Sequence, residues 1–182
     1  MNLSAVIIPI AAIICLSAIS FYRSRYVLTS ERAVEITLTW FIVIGIGLGG
    51  LTGFIGHMFM ADQTAENIGW AIGSPFQREV AFANLAFGIL GIMGYWVRKS
   101  FWLATIIGFS IFLLGAAYGH IYEMTEKGNN AAYNAGAVLY WDIAFPLGLI
   151  ILWVALWHLR KGKTQMEERV RQTSEHAHSN IK

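Results

Sequence analysis

The chain has 182 residues, of which 56% are hydrophobic and only 13% are charged, and its formal net charge is +2. An average soluble domain carries roughly 25% charged residues, so the composition excludes an ordinary soluble domain and indicates a membrane protein. Basic residues are not interleaved with aromatic ones along a surface, which excludes nucleic acid as a partner. The single Cys15 excludes an intrachain disulfide.

Five apolar segments are each long enough to cross a bilayer, which takes about 20 helical residues. They are Leu3–Tyr22, Ala33–Met60, Pro75–Val97, Phe101–Met124 and Ala131–Leu159. The first segment lacks the basic start and the cleavage site of a secretory signal, so we expect it to be retained as a helix. The sequence therefore predicts an all-α bundle of five transmembrane helices over residues 1–160, with a polar cytoplasmic tail over residues 161–182.

Lysine and arginine are unevenly distributed between the predicted loops. Eleven lie after the first span, after the third span and in the tail, whereas only Arg78 and Lys127 lie on the other side. Because cytoplasmic loops carry the excess of basic residues, this pattern predicts an N-terminus outside and a C-terminus in the cytoplasm.

Glycines recur at helical spacing within three of the predicted spans. They are Gly45, Gly49 and Gly53 on the second span, Gly88, Gly91 and Gly94 on the third, and Gly115 and Gly119 on the fourth. Small residues at such spacing let helix backbones approach closely in lipid. We therefore expect tight packing between these helices.

Four titratable residues lie near the outer ends of predicted spans, where charged side chains are costly. They are His57, Glu79, His120 and Glu123. His120 and Glu123 are three residues apart and share one helix face. Two imidazoles and two carboxylates suit a divalent transition metal such as Zn, Fe or Cu. The leading hypothesis is a metal site in the outer leaflet, for redox, hydrolytic or transport use, with no specific enzymatic activity indicated.

Further polar residues extend this cluster into a predicted network. They are Gln77, Arg78, Asn84, Asn134 and Asp142. With the fifth span starting near Asn130, Asp142 is expected roughly 17 Å below the helix start, near the bilayer centre. A lone aspartate there costs about 2.5–3.5 kcal/mol, so it must be protonated, paired, hydrogen-bonded or hydrated.

Several alternatives to a metal ion remain open. The two histidines are also the residue type that binds haem b axially. Asp142, with Asn84, is compatible with a protein that moves protons or ions, or that binds a small molecule. Ion pairs of Arg78 with Glu79 or Glu123 would explain the outer residues structurally. The chain is also compatible with a homo-oligomer or with a non-catalytic subunit of a membrane complex.

Three stretches of the sequence carry a resemblance to known proteins. Residues 73–84, 115–123 and 134–142, including Gly-Ser-Pro-Phe-Gln-Arg-Glu and Gly-His-Ile-Tyr-Glu, resemble a family of small prokaryotic multi-span membrane proteins of unknown function. The resemblance implies a helical bundle in the cytoplasmic (inner) membrane of a prokaryote. It implies no activity and does not choose between the alternatives.

Overall fold

The computed structural model describes the backbone of residues 4–179 and the side chains of residues 7–176. Within this range the regular structure is entirely helical, which confirms the predicted all-α class. The helices are α1 (Ser4–Arg23), α2 (Ser30–Phe59), α3 (Ala61–Ile68), α4 (Phe76–Met93), α5 (Ser100–Lys127) and α6 (Ala137–Ser179). Each predicted span contains one long helix, and the short helix α3 lies between the second and third spans.

Three helices are candidate membrane spans by length and composition. These are α2, α5 and the part of α6 that covers Ala137–His176. The apolar part of α1 is shorter, and α4 begins with the polar residues Gln77, Arg78 and Glu79. The fold is therefore that of an all-helical protein with three candidate membrane-spanning helices.

The main core lies between α2, α5 and α6. Its buried residues are Leu38, Ile42 and Ile46 on α2, Trp102, Ile106, Phe109 and Leu113 on α5, and Phe145, Leu149 and Leu156 on α6. The ring of Phe145 stacks on Trp141 with centroids 4.6 Å apart and on Phe41 at 5.7 Å. Gly45 makes room for this ring, because an added Cβ would lie 2.0 Å from Phe145 Cζ.

The backbones of α2 and α4 approach each other at glycines. A Cβ added at Gly91 would lie 2.3 Å from the backbone nitrogen of Gly47, and one at Gly50 would lie 2.6 Å from the backbone nitrogen of Gly88. The predicted glycine packing is thus confirmed for this helix pair. On α5 it is wrong, because a Cβ at Gly115 or at Gly119 would meet no atom of the described residues within 4 Å.

The middle of α2 is a π-helical stretch, Phe41–Leu48, between two α-helical stretches. It contains Gly45 and Gly47, the two glycines that contact Phe145 and α4 respectively. A π-helical stretch shifts the faces that the flanking α-helical turns present. One helix can therefore pack against α6 on one side and against α4 on another.

Helix α6 begins at Ala137, six residues later than the predicted start of the fifth span at Ala131. The side chains of two asparagines bind the backbone before it. Asn129 Oδ1 accepts a hydrogen bond from Ala131 N at 3.1 Å, and Asn134 Nδ2 donates to Asn129 O at 2.8 Å. Such local bonds compete with helix formation, and residues 128–136 are accordingly not helical, with a turn at residues 132–134. At its other end α6 continues through the exposed tail to Ser179.

Opposite the His120 end of α5, ion pairs join three parts of the chain. Glu35 on α2 accepts from Arg32 at 3.1 Å, from Arg98 at 3.0 Å and from Arg160 at 3.0 Å. Arg160 also donates to Glu31 at 3.1 Å. The start of α2, the turn before α5 and the middle of α6 therefore meet at one end of the bundle, which we call the basic end.

Candidate functional site

A buried polar group connects α5, the turn before α6, and α6. It consists of His120, Asn134 and Asp142, which are 7%, 0% and 5% exposed. His120 Nδ1 lies 2.7 Å from Asn134 Oδ1, and His120 Nε2 lies 3.6 Å from Asp142 Oδ2. We call these three residues the His120 site.

The hydrogen bonds of Asn134 fix the proton on the His120 ring. The Nδ2 group of Asn134 donates to His120 O at 3.2 Å and to Asn129 O at 2.8 Å, so its Oδ1 must be the acceptor that faces the ring. His120 Nδ1 therefore carries a hydrogen and donates it to Asn134. In a neutral imidazole the other nitrogen, Nε2, is then an acceptor, and it faces Asp142.

His120 Nε2 and Asp142 Oδ2 are too far apart for a hydrogen bond at 3.6 Å, but one added proton would make their approach favourable. A neutral Nε2 and an ionised carboxylate would bring two acceptors together in a buried place, which is unfavourable. One added proton removes the conflict, either on Nε2 as an ion pair or on the carboxyl group as a neutral pair. The pair is electrically neutral in both forms and differs only in where the proton lies.

Asp142 lies nearer the end of the bundle than the sequence predicts. Because α6 begins at Ala137, Asp142 is five residues, or about 8 Å, inside the helix, and not roughly 17 Å below Asn130 at the bilayer centre. His120 is similarly about 10 Å from Lys127, the last residue of α5. The site is therefore buried but is only two turns or so from the loop at this end.

His57 belongs to a different polar group. Its Nδ1 makes a short contact with Gln77 Oε1. Gln77 is 2% exposed and donates from Nε2 to Ala61 O at 3.2 Å. The indole of Trp70 lies beside the His57 ring, with centroids 6.3 Å apart. These contacts join α2 to the first turn of α4 and to the segment that contains α3.

The remaining predicted outer residues do not join either group. Glu123 is bound by Lys127 on its own helix at 2.6 Å. The side chains of Glu79 and Arg78 are exposed and have no hydrogen bond or ion pair within the described residues. The predicted ion pairs of Arg78 with Glu79 or Glu123 are therefore not formed. Asn84 donates to Val80 O at 2.9 Å and packs where α4 meets Gly53 of α2.

The four predicted metal ligands are thus divided among different surroundings. His57 contacts Gln77, His120 contacts Asn134 and Asp142, Glu123 contacts Lys127, and Glu79 is exposed. Among the residues that the structure describes, no group of three or more His, Cys, Asp or Glu side chains is placed to hold a metal ion. The metal and haem hypotheses remain predictions without support from this geometry.

Two buried hydroxyl groups on α5 were expected from the sequence to lie toward the cytoplasm from the polar network. Ser110 is 4% exposed and Thr105 is 3% exposed. Ser110 Oγ has no hydrogen-bond partner in the described part of the chain. At 1.5 Å per residue they lie about 15 Å and about 22 Å from His120 toward the basic end.

Comparison with known proteins gives a family but no activity. Residues 1–162 match the family of unknown function DUF6790. No curated protein and no solved structure matches the chain. The match extends over all six helices, including the three stretches in which the sequence resembles a family of unknown function, and ends within α6. The chain belongs to DUF6790, a family of unknown function.

Proposed function

We propose that this chain is an integral membrane protein that exchanges a proton at the pair His120–Asp142, and that this exchange serves the movement of protons or ions across the membrane. The 3.6 Å approach of His120 Nε2 to Asp142 Oδ2, with both residues buried, is the observation that carries the proposal. Titratable groups inside apolar bundles are costly, and proton relays are one of the functions that retain them.

The His120 site has the features that reversible proton binding requires. Asn134 holds the imidazole in one tautomer, so Nε2 always faces the carboxyl group. The proton between the two residues can therefore lie on either partner without a rotation of the ring.

Access differs between the two directions along the bundle. The His120 site is about two turns from the loop at residues 128–136, so the distance to the end of the bundle is short in that direction. Toward the basic end the polar side chains on α5 are Ser110 and Thr105, followed on α2 by Thr39, which donates to Glu35 O at 2.7 Å. The interval of about 15 Å between His120 and Ser110 would need a chain of several water molecules, or a ligand, to bridge it.

The proposal includes five transmembrane helices with the N-terminus outside and the C-terminus in the cytoplasm. In support, α1 spans 20 residues, or about 30 Å, and α4 packs along α2 through glycines. The basic end joins Arg32, Arg98 and Arg160, as expected if those three segments share the cytoplasmic side. The His120 site then lies toward the outer side. The resemblance alone supports a prokaryotic cytoplasmic membrane.

The proposal is tested by proton flux in liposomes. Purified protein is reconstituted with a trapped pH-sensitive dye, and a pH step is imposed with potassium and valinomycin present to balance charge. Asp142→Asn keeps the shape of the side chain and lets the amide donate to Nε2, so folding should be preserved while proton exchange is lost. Asp62→Asn is the matched control, because Asp62 is an exposed aspartate on α3.

We expect the wild-type protein and Asp62→Asn to dissipate the pH step faster than empty liposomes, and Asp142→Asn to match the empty liposomes. Flux by Asp142→Asn at the wild-type rate would show that the pair is not used. If liposomes that contain the wild-type protein dissipate the pH step no faster than empty liposomes, the proposed movement of protons or ions across the membrane is contradicted.

A further inference from the structure

A cavity of about 420 Å³ lies at the basic end, between the turn before α5 and the middle of α6. Its walls are apolar and are formed by Leu103, Trp153, Leu156 and Trp157. The polar side of the cavity is lined by three cations, one carboxylate and one hydroxyl: Arg98, Lys99, Arg160, Glu35 and Ser100. We propose that this cavity binds an anionic phospholipid, with the phosphate at the cationic side chains and the upper acyl chains along the tryptophans. The proposal does not depend on the His120 site.

The charge at this end favours an anion. Five cationic side chains surround only two carboxylates, Glu31 and Glu35. The cations are Arg32, Arg98, Lys99, Arg160 and Lys163. Glu35 holds the guanidinium groups of Arg98 and Arg160 at 3.0 Å, which fixes their position at the cavity. Each guanidinium has five N–H donors, so both retain donors for a phosphate after binding Glu35.

Lys99 adds a cation from an unusual backbone conformation. Its φ is +59° and its ψ is −120°, and it is the only residue other than glycine with positive φ in the described part of the chain. Phe101 N donates to Arg98 O at 3.3 Å, so Lys99 occupies the second position of a tight turn where glycine is favoured. The side chain of Lys99 is exposed and has no hydrogen bond or ion pair among the described residues. It is therefore available to a ligand, beside the start of α5.

The apolar walls favour a lipid over a soluble anion. Trp153 and Trp157 are four residues apart and lie on one face of α6. Tryptophan is enriched at the level of lipid headgroups, where one side of the ring is apolar and the other meets water. Basic pockets between helices at the cytoplasmic side recognise anionic headgroups. A phosphate without acyl chains would leave these walls without a partner.

The test uses the full chain purified in a neutral detergent. It is titrated with phosphatidylglycerol or phosphatidylcholine, and bound lipid is counted by native mass spectrometry. Lys99→Gln removes one cavity cation, and the matched control Lys163→Gln removes an exposed lysine that lies near the same end but does not line the cavity. Leu103→Trp fills the apolar wall, and circular dichroism verifies that each variant keeps its helices.

We expect preferential binding of phosphatidylglycerol by the wild-type protein and a loss of about fivefold in affinity for Lys99→Gln, the factor given by about 1 kcal/mol per basic residue. The affinity of Lys163→Gln for phosphatidylglycerol should stay within about twofold of the wild-type affinity. Leu103→Trp, if it keeps its helices, should bind much less phosphatidylglycerol. Equal binding of the two lipids would overturn the proposal. So would an equal loss for both lysine variants, or displacement of the lipid by millimolar inorganic phosphate, which would identify a soluble anion.

Discussion

The closest approach of α2 and α4 makes a quantitative prediction for Gly91→Ala. The added Cβ would lie 2.3 Å from Gly47 N and 2.6 Å from Gly47 Cα, whereas ordinary contact begins at 3.4 Å. The atoms it meets belong to the backbone, so no side chain can rotate away. The two helices would have to separate locally by about 1 Å, and overpacking of this kind costs about 1–3 kcal/mol.

Part of that cost is offset by the preference of helices for alanine. Alanine in a helix interior is more favourable than glycine by roughly 0.5–1 kcal/mol. We therefore expect a net loss of about 1 kcal/mol, within a range of roughly 0–2.5 kcal/mol, in the free energy of unfolding for Gly91→Ala. Gly115→Ala is the matched control on α5, because its Cβ meets no described atom within 4 Å, and it should gain about 0.5–1 kcal/mol.

The free energies are measured by titrating the purified proteins in mild micelles with a denaturing detergent and following helical circular dichroism. The two variants should shift the transition in opposite directions. If Gly91→Ala and Gly115→Ala are equally stable, the close contact of α2 with α4 does not exist in the protein in solution.

Three further predictions concern polar residues and use the same unfolding titration. Asn134→Ala leaves His120 Nδ1 without an acceptor and removes one hydrogen bond each from His120 O and Asn129 O, so the free energy of unfolding should fall by at least about 1–3 kcal/mol; unchanged stability would refute the assigned hydrogen bonds. Glu35→Gln weakens three charged hydrogen bonds and should lose about 1.5–3 kcal/mol, less at high salt; an effect independent of salt would count against an ionic role. Lys99→Gly relieves the positive φ and should gain about 1 kcal/mol while weakening phosphatidylglycerol binding. A loss of stability in that variant would refute the proposed strain.

The sequence predicts the helices of this protein well because apolar composition decides them. Each of the five predicted spans contains a long helix, and the glycine spacing correctly indicates the contact of α2 with α4. The start of α6 is missed because it depends on side-chain hydrogen bonds of Asn129 and Asn134, which compete with the helix. The hydropathy of the sequence does not report such hydrogen bonds, so it cannot predict where they delay the start of a helix.

The candidate site is predicted only in part, for a related reason. The sequence identifies all three residues of the His120 site as polar residues that are costly in a membrane. It assigns His120 to the metal site, however, and Asn134 and Asp142 to the wider polar network. Their grouping depends on how far each helix is rotated and where α6 begins, which tertiary packing determines. The same packing places His57 in contact with Gln77 and leaves Glu79 exposed. Residues at equal depth along different helices are therefore not necessarily close to one another.

The central claim is that His120 and Asp142 share one proton while Nδ1 of His120 stays protonated. Nitrogen-15 NMR of protein labelled at its histidines tests it directly, with the His120 signals assigned from their absence in His120→Gln. The account predicts a hydrogen on Nδ1 at every pH at which the protein is folded, and an Nε2 signal that changes in Asp142→Asn. A neutral ring with its only hydrogen on Nε2, and no response to Asp142→Asn, would contradict it.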